Sequence, residues 1–401
     1  ALMAKAIPMD QELAADLQAR RADHLYRQRN RHSGPQVPLI KVNGSQLLAF
    51  TSNDYLGLAN HPKLISAAHS ASKLYGLGSG ASHLVTGHTD LHHELEQALA
   101  ATTQRPRALL FGSGYMANMG VLNALLDRRD AVYQDRLNHA SLLDGGLLSG
   151  AKFQRYRHND TTNLADKLVT TQARRHVVAT DAVFSMDGDI APLKGLSQVA
   201  NEHHAWLMVD DAHGFGVLGA GGGGSALAQG LSSNDCPIYM ATLGKALGSY
   251  GAFVAGSEEL IESLIQFSRN YIYTTALPPS VAAASLASVA LLTEEAWRQQ
   301  HLNRLINYFT QQAQSMGLPL MYSQTAIQPL LVGSSKVAIQ ISDELRQVGL
   351  LVTAIRPPTV PKGTARLRIT LSAAHSEAHV DELLVALGRL QQQGLVGRAE
   401  Q

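Results

Sequence analysis

Lys245 is the residue of this chain whose type and setting best suit covalent chemistry. It follows the apolar run Ile238–Ala241 and stands between Gly244 and Gly248. A lone lysine after a strand is usually only solvated. Here, however, the flanking glycines let a bound group approach the backbone closely, and an apolar environment lowers the pKa of an amine. An amine with a lowered pKa can form a Schiff base with a carbonyl group.

Asp210 ends a second apolar run, Trp206–Val209. Open α/β sheets bind ligands at the carboxyl ends of their strands, which is where this carboxylate would lie. There it could pair with a protonated ring nitrogen of a cofactor. Alternatively, Asp210 caps a turn or the next helix, which is the more common role of an isolated aspartate. The residue alone leaves both interpretations open.

The third feature is the glycine-containing turn 112–117, which opens a predicted helix over 117–126. Backbone N–H groups at the start of a helix bind anions, so this turn is a candidate phosphate site. It also fits a loose dinucleotide-binding pattern in which Asp135 would contact a ribose. That interpretation, a nucleotide-dependent oxidoreductase, leaves Lys245 and Asp210 without a role.

The three features together fit pyridoxal 5′-phosphate (PLP). Asp210 would keep the pyridine nitrogen protonated so that the ring withdraws electrons, Lys245 would bind the cofactor as a Schiff base, and the 112–117 turn would hold the phosphate. The sequence has no H-E-x-x-H, G-x-S-x-G or paired-cysteine motif. No metal site is therefore predicted.

The elements that would position these residues alternate along the chain. Short apolar runs, separated by helical stretches, predict a mostly parallel sheet covered on both faces. These runs are 108–111, 131–134, 177–180, 206–209 and 238–241. We also predict an N-terminal helix over 11–31, a loop at the glycine run 221–224, and a long helix over 280–310 that opens a smaller α+β region.

Composition excludes several classes of protein. The 33 lysines and arginines balance the 32 aspartates and glutamates, so the chain lacks the basic surface of a nucleic-acid-binding protein. Cys236 is the only cysteine, which excludes an intramolecular disulfide and a cysteine-rich metal site. No run is apolar enough for a membrane helix, and residues 1–8 lack the pattern of a signal peptide. A cytoplasmic protein without membrane or nucleic-acid partners is the expectation.

The chain resembles the α-oxoamine synthases, the acyltransferase branch of the fold-type I PLP enzymes, over about residues 15–390. The shared blocks are 52–58, 78–87, 110–118, 138–145, 183–189, 209–216, 241–248 and 271–279. The resemblance implies an α/β transferase with a mostly parallel seven-stranded sheet. It further implies an N-terminal helical segment (1–48), a large PLP-binding domain (49–280) and a smaller C-terminal α+β domain (281–401).

The resemblance also assigns roles to individual residues. It implies PLP contacts by Gly114, Tyr115, His139, Ser185, Asp210, His213, Thr242 and Lys245, and by Thr275 reaching the site of a neighbouring subunit. Catalysis is implied for Lys245, Asp210, His139 and His213. It further implies that Asn53 and Arg368 hold the amino-acid carboxylate and that Arg27 and Thr359 contact the acyl substrate. Alternatively, His139 is a core histidine, Ser185 a turn residue, and the pair Arg366 and Arg368 a solvated strand face.

The segment 352–371 is most similar to members that condense L-alanine with a pimeloyl thioester and release CO2 and a thiol. Ser82 stands where glycine-using relatives often have threonine, so the missing methyl group would leave room for that of alanine. The resemblance implies a homodimer with shared active sites, and the acyl carrier would be coenzyme A or a carrier protein. Glycine-using members, such as 2-amino-3-ketobutyrate CoA ligase and 5-aminolevulinate synthase, and a non-catalytic PLP-fold binding protein are the alternatives.

Two residues depart from the family pattern. Asp181 stands where the family often has glutamate, which shortens the reach of that carboxylate. Gly223 stands where relatives often have arginine. Neither departure falls on the residues expected to bind the cofactor covalently or to pair with its ring nitrogen.

Overall fold

The computed structural model describes residues 8–23 and 25–398. Its strands are β1 (His32–Ser33), β2 (Leu39–Val42), β3 (Ser45–Ala49), β4 (Arg107–Phe111), β5 (Ala131–Asp135), β6 (Lys152–Tyr156), β7 (His176–Asp181), β8 (Trp206–Asp210), β9 (Ile238–Thr242), β10 (Ala252–Gly256), β11 (Ile327–Gly333), β12 (Leu350–Leu351), β13 (Thr353–Ile355) and β14 (Ala365–Thr370). Its α-helices are α1 (Met9–Ala22), α2 (Pro62–Tyr75), α3 (Asp90–Thr102), α4 (Gly114–Leu125), α5 (Ala140–Leu148), α6 (Thr161–Thr170), α7 (Leu193–Glu202), α8 (Ser225–Ala228), α9 (Glu258–Phe267), α10 (Arg269–Ile272), α11 (Pro279–Glu294), α12 (Trp297–Ser315), α13 (Ser335–Gln347) and α14 (Glu377–Gln392). A π-helical turn spans His83–Gly87 and a 3₁₀ turn spans Ala220–Gly222.

A seven-stranded sheet in the order β4-β10-β9-β8-β7-β5-β6 forms the centre of the fold. Only β10 runs antiparallel to its neighbours. The predicted mostly parallel α/β sheet is therefore confirmed. All five apolar runs singled out in the sequence are strands of this sheet, and β6 and β10 complete it.

The strands read as continuous apolar runs because both faces of the sheet are covered. Leu110 and Val178 pack into one hydrophobic cluster, whereas Leu109, Phe111 and Val177 pack into another on the opposite face. Alternate side chains of a strand point to opposite faces, so each face must be apolar to be buried. Burial on both sides keeps the strand ends fixed relative to one another.

Two predicted helices have different bounds in the structure. The N-terminal helix ends at Ala22 rather than Arg31, and none of its side chains is buried. The predicted helix over 280–310 is interrupted between α11 and α12 at Glu295 and Ala296. There the Glu295 carboxylate accepts a 2.6 Å hydrogen bond from Arg298 Nε, and Arg298 Nη1 donates to the carbonyl of Leu56 at 3.0 Å.

Two smaller sheets flank the central one. The C-terminal sheet has the order β11-β14-β13, and the other sheet, β1-β2-β3-β12, joins the N-terminal region to the C-terminal part of the chain. Thr370, at the end of β14, donates a 2.8 Å backbone hydrogen bond to Phe50, which follows β3. The predicted boundary at 280/281 lies inside α11, and the division into domains stays a prediction.

Within the described residues, no helix combines the length and the apolar character needed to cross a membrane. Residues 1–7 and 399–401 lie outside the described part of the chain. The expectation about a signal peptide falls mainly on the first of these segments, so it stays untested. The cytoplasmic location also stays a prediction.

Candidate active site

Three neighbouring strands end in polar residues at one edge of the central sheet. Asp181 and Asp210 are paired in register on β7 and β8, and Thr242 ends the adjacent strand β9. Lys245 follows three residues later. Parallel strands therefore bring two carboxylates and the lysine to the same edge, where α/β folds bind ligands.

Asp210 is buried and held by two hydrogen bonds. Its Oδ2 atom accepts from Asn118 Nδ2 at 2.7 Å, and its Oδ1 atom accepts from the backbone N–H of Ala212 at 2.9 Å. The second bond is the turn cap considered as an alternative. The first bond comes from α4, which sequence reasoning had not connected to Asp210. Together they fix the orientation of a carboxylate whose charge acts on Lys245.

Lys245 lies beside a histidine. Its Nζ lies 3.2 Å from Nε2 of His213. Burial lowers the pKa of the Lys245 amine, although the carboxylates of Asp210 and Asp181 favour its charged form and partly oppose this effect. Lys245 is half-buried, and its lowered pKa suits a Schiff-base lysine, although this role stays a prediction.

A chain of hydrogen bonds runs from this lysine to Arg368. Nδ1 of His213 lies 2.7 Å from Tyr55 Oη, which donates to Asn53 Oδ1 at 3.3 Å. The same amide oxygen accepts from Arg368 Nη2 at 3.3 Å. Tyr55 lies within the shared block 52–58, but the sequence suggested no role for it. In the fold it fixes the ring of His213, whose pKa is lowered well below its usual value by burial and by the charge of Lys245.

His139 lies at the start of α5 and is tied to the end of β7. Its backbone N–H donates to Asp181 Oδ2 at 2.7 Å, and its Nδ1 accepts from the backbone N–H of Ser141 at 3.2 Å. Burial lowers the pKa of the imidazole, and the charge of Asp210 opposes this effect. Burial also raises the pKa of Asp181, as does the neighbouring charge of Asp210. The shorter carboxylate at 181 therefore positions the backbone of His139.

The N-terminus of α4 offers an anion site. Helix α4 begins at Gly114 and is capped by Ser113, whose Oγ accepts from Met116 N at 3.2 Å. Within the described residues, the N–H groups of Gly114 and Tyr115 donate to no other group. Such free N–H groups at a helix start suit a phosphate. The hydroxyl of Thr242, in contrast, already donates to the Gly251 carbonyl at 2.9 Å.

Arg368 is a buried guanidinium that has no carboxylate partner among the described residues. Only 8% of the residue is exposed, and its Nε donates to the Ser185 carbonyl at 2.6 Å. Arg366 is also buried but forms an ion pair with Asp187. A solvated face at 366–368 is therefore excluded. A buried cation without a counter-ion is costly, so Arg368 is suited to bind an anionic ligand.

The fold argues against a dinucleotide site at the 112–117 turn. The strand before this turn, β4, and the strand that ends in Asp135, β5, are separated by four strands of the sheet. In a dinucleotide-binding unit these strands would be neighbours. Moreover, the Asp135 carboxylate accepts hydrogen bonds from the backbone N–H groups of Leu137 and Asn159, both at 2.8 Å. Both of its oxygens are therefore already used by neighbouring loops.

His158 links that loop to the one that carries Ser185. Its Nδ1 lies 3.0 Å from Asp135 Oδ1, and its Nε2 lies 2.7 Å from Asp189 Oδ2. The two carboxylates raise the pKa of His158 to about 10, against the desolvation caused by partial burial. The imidazolium therefore fastens the 182–190 loop to the end of β5. The sequence did not reveal this residue, because its partners are distant in the chain.

Replacing His158 by glutamine is expected to lower the thermal unfolding midpoint by roughly 2–5 °C at pH 6, and by less at pH 10. The folded-state pKa lies above the unfolded value of about 6.5, so the stabilisation is complete below about pH 6.5 and is lost as the pH rises through about 10. Melting curves at both pH values, with His69→Gln on the exposed face of α2 as a control, test this. An equal loss at both pH values would contradict the ion-pair role.

Three predicted residues are not joined to this site by any hydrogen bond among the described residues. Arg27 and Thr359 are exposed. Thr275 is also exposed and forms an isolated antiparallel bridge with Ser82. Their assigned roles therefore stay predictions, and the role of Thr275 requires a second subunit.

Known proteins are similar to this chain over nearly its whole length. The family model for class I and II aminotransferases matches residues 45–387. An 8-amino-7-oxononanoate synthase of Cellvibrio japonicus is 59% identical over 382 residues, which cover 95% of this chain and 96% of that protein. One from Pseudomonas putida (strain GB-1) is 60% identical over 376 residues, covering 94% of this chain and 96% of that protein.

Solved structures are similar over the same length. A serine palmitoyltransferase with a PLP internal aldimine superposes with a TM-score of 0.91 at 29% identity, covering 97% of this chain and 100% of that chain. An 8-amino-7-oxononanoate synthase from Francisella tularensis superposes with a TM-score of 0.77 at 32% identity, covering 87% of this chain and 98% of that chain. Fold and site together define a PLP-dependent enzyme of fold type I. The chain belongs to the class I and II aminotransferase family.

The residues present fit PLP at this site. Asp210 offers a fixed carboxylate at the strand end, and Lys245 offers an amine with a lowered pKa. The two free N–H groups at the start of α4 supply a place for the phosphate. His139 caps α5, and the charge of Asp210 acts on its ring. Each part of the cofactor thus has a matching group.

Proposed function

We propose that this enzyme is an 8-amino-7-oxononanoate synthase, which joins L-alanine to a pimeloyl thioester with loss of CO2 in biotin biosynthesis. The relatives with that name are 59–60% identical over nearly the full length of both chains. The observation that carries the proposal is the buried Arg368, which has no carboxylate partner among the described residues. Its charge lowers the pKa of Lys245, so the two side chains lie in the same site. An amino-acid substrate would supply the missing carboxylate.

Bound PLP supplies an electron-withdrawing ring that stabilises negative charge at the α-carbon of the amino acid. Asp210 is held to pair with the pyridine nitrogen by Asn118 and the backbone of Ala212. With PLP bound, the Lys245 amine would be placed to take the α-proton at its Nζ, and its lowered pKa favours the neutral base that this role requires. His139 would lie against the ring.

Arg368 and Asn53 would orient the amino-acid carboxylate. The guanidinium is fixed at Nε by the Ser185 carbonyl and at Nη2 by Asn53, so its geometry is set before the substrate binds. Arginine suits this role because its planar fork matches a carboxylate. Ser185 and His213 are proposed to contact the phenolic oxygen of the ring, with Tyr55 orienting His213.

A cationic cavity near Arg27 is a candidate site for the acyl donor. Tyr26 and Gln28, the neighbours of Arg27, line a cavity of about 490 Å³ together with Arg21 and Arg346. Arginines there could receive the distal carboxylate of a pimeloyl chain or the phosphates of its carrier. Arg27 remains our proposed contact for the acyl substrate. The carrier is coenzyme A or a carrier protein.

Thr359 is the second proposed acyl contact. It lies on the exposed turn after β13, where its backbone N–H donates to the Arg356 carbonyl at 3.1 Å. Arg356 also lines the cationic cavity. We therefore propose that this turn contributes to the binding of the acyl donor next to the cationic cavity.

We also propose a homodimer in which Thr275 reaches the phosphate of the neighbouring subunit. Leu74, Leu77, Val85 and Tyr273 are large apolar side chains, each at least 70% exposed. Tyr273 and Val85 flank the Ser82–Thr275 bridge in sequence. Clustered exposed apolar side chains mark interaction surfaces. A monomeric mass in sedimentation equilibrium would contradict this assignment.

The function is tested by incubating the holoenzyme with L-alanine and pimeloyl-CoA, and by measuring both free thiol and CO2. Equal amounts of the two products are expected. Parallel reactions with serine plus palmitoyl-CoA, and with glycine plus acetyl-CoA, represent related activities. If one of these were faster, the proposed substrates would be wrong while the PLP chemistry would stand.

Alanine is expected to exceed glycine in kcat/KM by about 10- to 200-fold, the range for one methyl group in a fitted pocket. Ser82 lacks the methyl group of threonine and lies half-buried beside Thr275. The variant Ser82→Thr should lower the ratio of kcat/KM for alanine to that for glycine. The control Ser66→Thr, on the exposed face of α2, should leave this ratio unchanged. A preference for glycine in the unmodified enzyme would refute this selectivity.

A further inference from the structure

A group of histidines outside the active site surrounds the start of α3. His83 begins the π-helical turn that precedes this helix, His88 follows the turn, and His92 and His93 lie in the first turn of α3. Their rings are packed closely, with centroids 5.1 Å apart for His83 and His88 and 6.0 Å apart for His88 and His93. None of these residues has a role in the proposed reaction.

Three side chains of this group converge as metal ligands would. One ligand atom from each of His88, His93 and Glu96 lies within 4.8 Å of the other two. His93 and Glu96 are three residues apart on α3, so they share a face of the helix. His88 enters from the preceding loop, and its Nε2 lies 4.0 Å from Glu96 Oε2.

The remaining contacts leave Nε2 of His88 available, whereas Nε2 of His93 lies 3.2 Å from Gln97 Nε2, so His93 would bind through Nδ1 or give up that contact. Its Nδ1 lies 2.8 Å from Nδ1 of His83, so one of these two atoms carries the proton that they share. Burial lowers the pKa of His83 to about 3, so that ring is a neutral partner. His83 is itself fixed by stacking on Tyr271, with centroids 5.0 Å apart. Fixing one ring nitrogen in this way orients the other towards a metal ion.

His92 lies at the centre of the cluster but has a structural role. Its Nε2 lies 2.7 Å from the Leu277 carbonyl, and its Nδ1 accepts from the backbone N–H of Thr89 at 3.0 Å. Both ring nitrogens are therefore used. It holds α3 against the 271–277 segment and is excluded from the ligand set.

Glu96 is a nearly buried carboxylate that forms no ion pair with a lysine or arginine among the described residues. Its Oε1 accepts from Leu110 N at 3.1 Å, and burial raises its pKa to about 7. Arg107, whose charge lowers the pKa of Glu96, forms ion pairs with Glu258 and Glu262. A bound cation would stabilise the charged form of Glu96 at this position, in place of a proton.

We propose that His88, His93 and Glu96 bind one divalent transition-metal ion of the zinc class. Two imidazoles and one carboxylate form a ligand set used for zinc, whereas Mg²⁺ and Ca²⁺ prefer oxygen ligands alone. The ion would fasten the 83–87 turn to α3. Ser82 precedes that turn and is bridged to Thr275. The bound ion would therefore also stiffen the contact between these two parts of the chain.

The test is calorimetric titration of Zn²⁺ into the PLP-loaded enzyme prepared without a polyhistidine tag. One site per chain is expected. His93→Ala and His88→Ala should each weaken binding by at least about tenfold, since even outer partners of metal ligands contribute that much. His69→Ala, on the exposed face of α2, is the matched control and should bind as the unmodified chain does.

Two further measurements complete the test. Zinc should raise the thermal unfolding midpoint of the unmodified enzyme, because it binds the folded state, and should do so less in His93→Ala. Binding should weaken as the pH falls from 7.5 to 5.5, because the ligands must lose their protons. The proposal is overturned if the unmodified chain binds no zinc, or if both ligand variants bind it as tightly as His69→Ala does.

Discussion

The variant Lys245→Ala is expected to lose turnover by at least about 10⁴-fold, because it would remove both the proposed covalent attachment of the cofactor and the proposed base for the α-proton. The lysine is half-buried, with Nζ 3.2 Å from Nε2 of His213. The visible absorbance of the lysine-bound cofactor should disappear as well. Both effects are measured on purified protein, by the thiol-release assay and by absorption spectroscopy.

A matched control separates loss of the amine from general damage. Lys194→Ala removes an exposed lysine at the start of α7 and should retain both turnover and absorbance. Borohydride reduction of the unmodified enzyme, followed by digestion, should place a pyridoxyl group on Lys245. Unchanged visible absorbance in Lys245→Ala, or a label on another lysine, would refute the assignment and with it the proposed chemistry.

The variant Asp210→Asn should lower kcat by about 30- to 5000-fold, which corresponds to about 2–5 kcal/mol for one partner of a buried charge pair. An amide cannot stabilise a protonated pyridine nitrogen, so the ring would withdraw electrons less well. The side chain keeps nearly the same shape, and the proposed cofactor contacts at Lys245 and at the start of α4 are unchanged. The loss should therefore appear in kcat, with little change in the KM for the thioester.

Two comparisons sharpen this result. Asp166→Asn, on the exposed face of α6, is a control for the loss of one carboxylate and should be fully active. Asp210→Glu keeps the charge but moves it, so its activity should lie between those of Asp210→Asn and the unmodified enzyme. If Asp210→Asn retained the activity of the unmodified enzyme, Asp210 would only cap the turn at Ala212.

The strands and the strand-end residues could be predicted from the sequence because their signals are local. Apolar runs at 206–209 and 238–241 are buried on both faces, and the residue that ends each run is then placed at the carboxyl edge of the sheet. The helix over 280–310 was predicted as one element because its break depends on Arg298, which binds the Leu56 carbonyl. No periodicity within a helix reports such a distant contact.

The sequence by itself determined that an amine, a carboxylate and a helix N-terminus follow apolar strands, since residue type and hydrophobic pattern are properties of short segments. Only the tertiary structure decided which side chains meet. Asn118 reaches Asp210 across 92 residues, Tyr55 reaches His213 across 158, and Arg368 reaches the Ser185 carbonyl across 183. The packing of strands, helices and loops against one another brings these pairs together. This packing depends on the whole chain rather than on any local pattern.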